Sequence, residues 1–169
     1  SLSGLYPLKW QTGGDAILRA VNFSFQPING YRNPGKFKYK KDRLVLVTGY
    51  GGGKWYNFYK DGTRGQSDRY SHLRIKDTPG PFAIYQCDAE HSLGKANIEI
   101  NRASNISIYG LKSEGNKPVL RVKDSDFVQI LGYGGNATAL PGNSLFEVIN
   151  STNFLFVNLV DSPRLPSNK

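Results

Sequence analysis

The stretch LRIKDTPGPFAIYQCDAE (73–90) is followed by three others that read like it: IEINRASNISIYGLKSEG (98–115), LRVKDSDFVQILGYGG (120–135) and FEVINSTNFLFVNLVD (146–161). Laid one beneath another, they place Ile75, Ile100, Val122 and Val148 in one column and Ile84, Ile108, Ile130 and Phe156 in a second. The intervals are 25, 22 and 26 residues in the first column and 24, 22 and 26 in the second. A repeat this short, with two short strands and two turns, cannot close a core of its own. It must bury its apolar face against its neighbours, which is the construction of a solenoid.

The phase within a coil follows from a spacing of three. Apolar residues stand at 84 and 87, 108 and 111, 130 and 133, 156 and 159, whereas a flat strand alternates faces at every residue, so a bend must lie between the members of each pair. Gln86, Gly110, Gly132 and Asn158 occupy that bend; glycine tolerates a corner, and Asn or Gln there can ladder between coils. With the phase reset at the bend, Cys87, Leu111, Tyr133 and Leu159 point inward, as do Ala89 and Ser113. Asp88, Lys112, Glu90 and Glu114 point outward. RLVLVTGYGGG (43–53) reads as an incomplete earlier rung, its Val47, Gly49 and Tyr50 matching Ile130, Gly132 and Tyr133. WYNFYKDGTRGQSDRYS (55–71) then becomes an insertion, the place where solenoids put functional loops.

Composition agrees with an all-β chain. Of 169 residues, nineteen are glycine, nine proline, ten tyrosine and nine phenylalanine, a balance that suits short strands and many turns. Sustained helical periodicity is confined to a short helix expected near Asp15–Val21, and no apolar run approaches the roughly 20 residues of a membrane span. The expected organisation is an irregular cap or edge segment over 1–43, a parallel β-helix of about five coils over 44–161, and a polar, mobile tail over 162–169. Cys87, the single cysteine, has no partner for an internal disulfide and sits in an apolar column, which makes it a packing residue. No CxxC pair or metal-ligand spacing points to zinc.

Four sequons, at Asn22, Asn105, Asn136 and Asn150, point to a secreted glycoprotein, although Asn and Ser also populate solenoid turns. The net charge is +9, and between Tyr31 and Arg43 six basic residues (Arg32, Lys36, Lys38, Lys40, Lys41, Arg43) face one Asp. Such a run attracts polyanions, an acidic polysaccharide among them; the aromatic and basic strand signatures of nucleic-acid modules are missing, so nucleic acid is not the expected partner.

Stacking the coils gathers candidate chemistry on the outer face. At a parallel-strand spacing of roughly 4.8 Å, Asp88 and Lys112 become neighbours, as do Glu90 and Glu114, while Tyr85 and Tyr109 stack in a third column. Two carboxylates that close repel unless a cation lies between them. The pair would serve as acid and nucleophile of a glycosidase or as calcium ligands beside a proton carrier, Lys112 or His91. Glu90, Glu114, His91 and Lys112 are therefore the candidate catalytic residues, and Tyr85, Tyr109 and Asp88 the candidate substrate contacts. The same residues also fit a charge ladder on a solvated face that carries no chemistry.

The run ASNISIYGLKSEG, followed by DSDFVQILGYGGNA and STNFLFVNLVD, resembles the right-handed parallel β-helix proteins of the pectate-lyase-like superfamily, over about residues 71–161. That resemblance implies a secreted, polysaccharide-acting domain, a lyase or a glycoside hydrolase, whole or in part. The superfamily also contains non-catalytic adhesins and tailspikes. A carbohydrate-binding, adhesive or structural module, its ends meeting another chain of a larger β-helix, is the alternative it offers.

Overall fold

The computed structural model describes residues 6–23, 44–62 and 69–162. They form eleven strands and no helix: β1 (Lys9–Trp10), β2 (Ile17–Asn22), β3 (Val45–Thr48), β4 (Gly53–Asp61), β5 (Ser71–Thr78), β6 (Phe82–Glu90), β7 (Ala96–Ser113), β8 (Leu120–Lys123), β9 (Asp126–Gly135), β10 (Phe146–Ile149) and β11 (Thr152–Asp161). All pairings are parallel. One sheet runs β1-β3-β5-β7-β8-β10 and the other β2-β4-β6-β7-β9-β11, with the long β7 bending from the first into the second. The chain is the expected parallel β-solenoid, with about four regular turns over 71–161.

The two columns hold throughout. Ile75 pairs with Ile100, Ile100 with Val122 and Val122 with Val148; Ile84 pairs with Ile108, Ile108 with Ile130 and Ile130 with Phe156. Inside the stack these residues are fully excluded from solvent, while Val148 and Phe156, on the last rung, are only partly covered. The bend lies where the three-residue spacing requires. Gln86, Gly110, Gly132 and Asn158 all have positive φ, and Asn57 and Ala20 extend the same corner to earlier rungs.

Three expectations are corrected toward the N-terminus. Val47 pairs with Ile75, so 45–48 belongs to the first sheet, and Gly49 sits at the opposite corner, donating its N–H to the carbonyl of Asp77. The segment read as the start of an insertion is instead β4, a full rung of the second sheet: Trp55 stacks on Ile84, Phe58 on Cys87 and Asp61 on Glu90. The residues near Asp15–Val21 expected to be helical contribute β2, because Leu18 and Val21 continue the inward columns of Trp55 and Phe58. The basic run 31–43 and the tail beyond 162 lie outside the described residues.

Candidate functional site

The charged candidates converge where β4, β6 and β7 end, whereas Tyr85 and Tyr109 stand apart from them, before the corner at Gln86 and Gly110. Register sets Asp61 beside Glu90 and Asp88 beside Lys112, and Glu114 follows one residue after β7. The Lys112 ammonium lies among three carboxylates: it ion-pairs with Glu90 Oε1, lies 3.0 Å from Glu114 Oε1 and is 3.9 Å from Asp88 Oδ2. A cation therefore stands between Glu90 and Glu114, which removes the repulsion expected of a bare pair. Glu90 also departs from the solvated face on which it was placed, since its side chain is only 6% exposed. Burial raises the Asp88 carboxyl above the ordinary range, with Asp61 and Glu114 adding to the rise and Lys112 opposing it.

His91 is fixed from both sides of its ring. Nδ1 lies 2.9 Å from Asp61 Oδ1, and Nε2 is 3.7 Å from Glu114 Oε2. Its backbone has a φ of +57°, and its N–H donates to the Glu114 carbonyl. Gly115 makes this approach possible: a Cβ there would stand 3.1 Å from His91 Cα, at a φ of +106° that side chains rarely adopt. Beyond the ring opens a cleft of about 290 Å³, lined by His91, Leu93, Glu114, Gly115, Asn116, Asn136 and Thr138. A half-exposed imidazole held by one carboxylate and facing a second, on the wall of a cleft, is equipped to move protons.

His72, the other histidine, is buried beneath this layer. Its Nε2 lies 2.6 Å from the Glu90 carbonyl and its Nδ1 2.7 Å from the Tyr70 hydroxyl. A carbonyl can only accept, so Nε2 carries the proton and Nδ1 accepts from Tyr70. Burial first, then the charge of Lys60, lowers its pKa to about 3. His72 is thus a neutral brace for the backbone at Glu90.

The tyrosine column is longer than its sequence signal. Tyr56, Tyr85 and Tyr109 stack face to face with centroids 4.9 and 4.8 Å apart, and the Arg19 guanidinium covers the outer face of Tyr56 at 5.0 Å. Both faces of Tyr56 and Tyr85, and one face of Tyr109, are thereby covered. Tyr59 donates to Asp61 Oδ2 at 3.3 Å, and burial, followed by the charges of Asp61 and Asp88, raises its phenol. Tyr56, Tyr59, Asp61 and His72 escaped the sequence reading, though WYNFYKD repeats the order of IYQCDAE: apolar, Tyr, amide, apolar, polar, any, acid.

The sequence offers Glu90 and Glu114 as calcium ligands, and folding instead brings the donor atoms of Asp61, Glu90 and His91 within 4.8 Å of one another. Calcium does not fit this place. Lys112 already holds Glu90 and Glu114, and the third donor is an imidazole nitrogen where calcium takes oxygen. Cys87 is fully buried with its thiol pushed up by burial, as a packing residue should be. Of the sequon asparagines, Asn22, Asn105 and Asn150 are exposed, and Asn136 is half-buried on the cleft wall. The chain matches no protein-family model, no curated protein and no solved structure.

Proposed function

We propose that this chain is a polysaccharide-acting β-helix domain in which a sugar chain lies in the cleft at the ends of β4, β6 and β7. His91, rather than the Glu90 and Glu114 pair, carries proton transfer. The observation behind this reading is the ring of His91, oriented by Asp61 at 2.9 Å, with Glu114 3.7 Å from its other nitrogen and both side chains lining one open cleft. Asp61 positions the imidazole, and Glu114 is the second carboxyl within reach of a bound glycosidic oxygen. Four carboxylates (Asp61, Asp88, Glu90, Glu114), three of them about Lys112, make the site acidic, which favours a neutral sugar chain over a uronate. Secretion accords with exposed sequons and with such a substrate. The test is a panel of neutral and acidic polysaccharides, followed for new reducing ends and for the ultraviolet absorbance of unsaturated products. Reducing ends from a neutral glycan support hydrolysis, and unsaturated products support a lyase.

A second reading has its own observation. Lys112, in contact with three carboxylates, is also what a stabilising charge ladder would contain. In a purely binding or structural module that ladder would be the whole role of the patch, and no glycan in the panel would be cleaved.

A further inference from the structure

The two ends of the solenoid match one another column by column. On the last rung, Leu155, Leu159 and Val160 are exposed at 44, 39 and 63%, and among the described residues no strand pairs with the outer edges of β10 and β11. On the first rung, β1 and β2 likewise have one edge each that no strand among the described residues pairs, and Ile17 is 54% exposed. Following the register through the stack, Ile17 and Leu155 occupy one column, Leu18 and Phe156 the next, and Val21 and Leu159 the one beyond the bend. In the first sheet Trp10 and Val148 share a column.

Charge settles the polarity of the match. The outward column of the first sheet reads Lys9, Leu46, Arg74, Glu99, Arg121, Glu147, and its last four members alternate in sign. Arg74 pairs with Glu99 at 2.7 Å and Arg121 with Glu147 at 2.9 Å. The next residue the ladder calls for above Glu147 is a cation, and Lys9 stands at that position on the first rung.

We propose that the C-terminal rung of one copy receives the N-terminal rung of a second, extending both parallel sheets across the boundary. Lys9 then meets Glu147, Ile17 meets Leu155 and Leu18 meets Phe156. Such a contact is heterologous and does not close, so it grows into linear assemblies as concentration rises. The alternative pairing, last rung against last rung, would make the strands antiparallel and bring no Lys9 to Glu147.

Two measurements test this. Sedimentation of the whole chain over a wide concentration range should give masses rising by single-chain steps, and Leu155→Lys should remain monomeric with an unchanged melting temperature. For geometry, Ile17→Cys combined with Leu155→Cys should yield a ladder of disulfide-linked multimers on mild oxidation, because the two positions lie at opposite ends of one molecule. Leu155→Cys alone should yield none. A wild-type chain that stays monomeric throughout, a Leu155→Lys variant that associates like the parent, or dimers from Leu155→Cys alone would each overturn the proposal.

Discussion

His91 Nδ1 lies 2.9 Å from Asp61 Oδ1, across two strands and thirty positions of sequence. Asp61 does not line the cleft, so its effect is exerted through the ring it holds. Asp61→Asn should therefore lower kcat by about tenfold or more while leaving KM nearly unchanged. Steady-state kinetics on the preferred glycan checks the split; a rise in KM at constant kcat would move Asp61 into substrate binding.

Lys112 neutralises a carboxylate that cannot reach water. Removing it in Lys112→Met leaves Glu90 buried without its cation, which should cost roughly 2 kcal/mol, less than the loss of a fully buried pair because the Lys112 side chain is 45% exposed. Adding Glu90→Gln should recover most of that loss, since the amide carries no charge to strand. Denaturant midpoints of the single and double variants measure both effects, and a double variant no more stable than the single would show that Lys112 acts by packing.

His72 makes stability depend on pH. Its folded pKa is lowered to about 3, against about 6.5 in an unfolded chain. Below pH 6.5 the unfolded state takes up a proton that the folded state refuses. The stabilisation is thus fully present above pH 6.5 and falls by up to about 1.4 kcal/mol per pH unit toward pH 3. Chemical unfolding of the parent and of His72→Gln across that range should show a steeper decline in the parent. Parallel curves would place His72 in solvent contact.

The inward columns were legible because they obey a rule that holds rung after rung. Ile84, Ile108 and Ile130 each face the same apolar interior, so chance agreement is excluded by repetition. Trp55 belongs to that column too, but it was hidden. Val47 and Gly49 imitate the strand-and-corner order of Ile130 and Gly132, and a match of three residues cannot tell one sheet of a coil from the other. With that rung assigned to the wrong sheet, Asp61 falls in a loop and its pairing with His91 cannot be read from the sequence. Glu90 failed for a different reason. Alternation gives the direction of a side chain, whereas burial also depends on what a neighbouring strand lays over it.

Stability of the stack is tested at Ile130, which is fully buried between Ile108 and Phe156. Ile130→Asp places an unpaired carboxylate in that apolar column and should cost several kcal/mol, enough to abolish cooperative folding at physiological temperature. Thermal melting by circular dichroism would show it, and a near-native midpoint would contradict the column.

The most direct measurement compares turnover of the same polysaccharide by the parent, His91→Gln and Glu90→Gln, each verified as folded by its melting curve. Proton transfer by His91 predicts a loss of about a hundredfold or more in His91→Gln, with Glu90→Gln retaining most activity because Glu90 is committed to Lys112. Full activity in His91→Gln, or a folded parent that cleaves no glycan in the panel, would contradict the account and leave the cluster as a charge ladder in a binding or structural module.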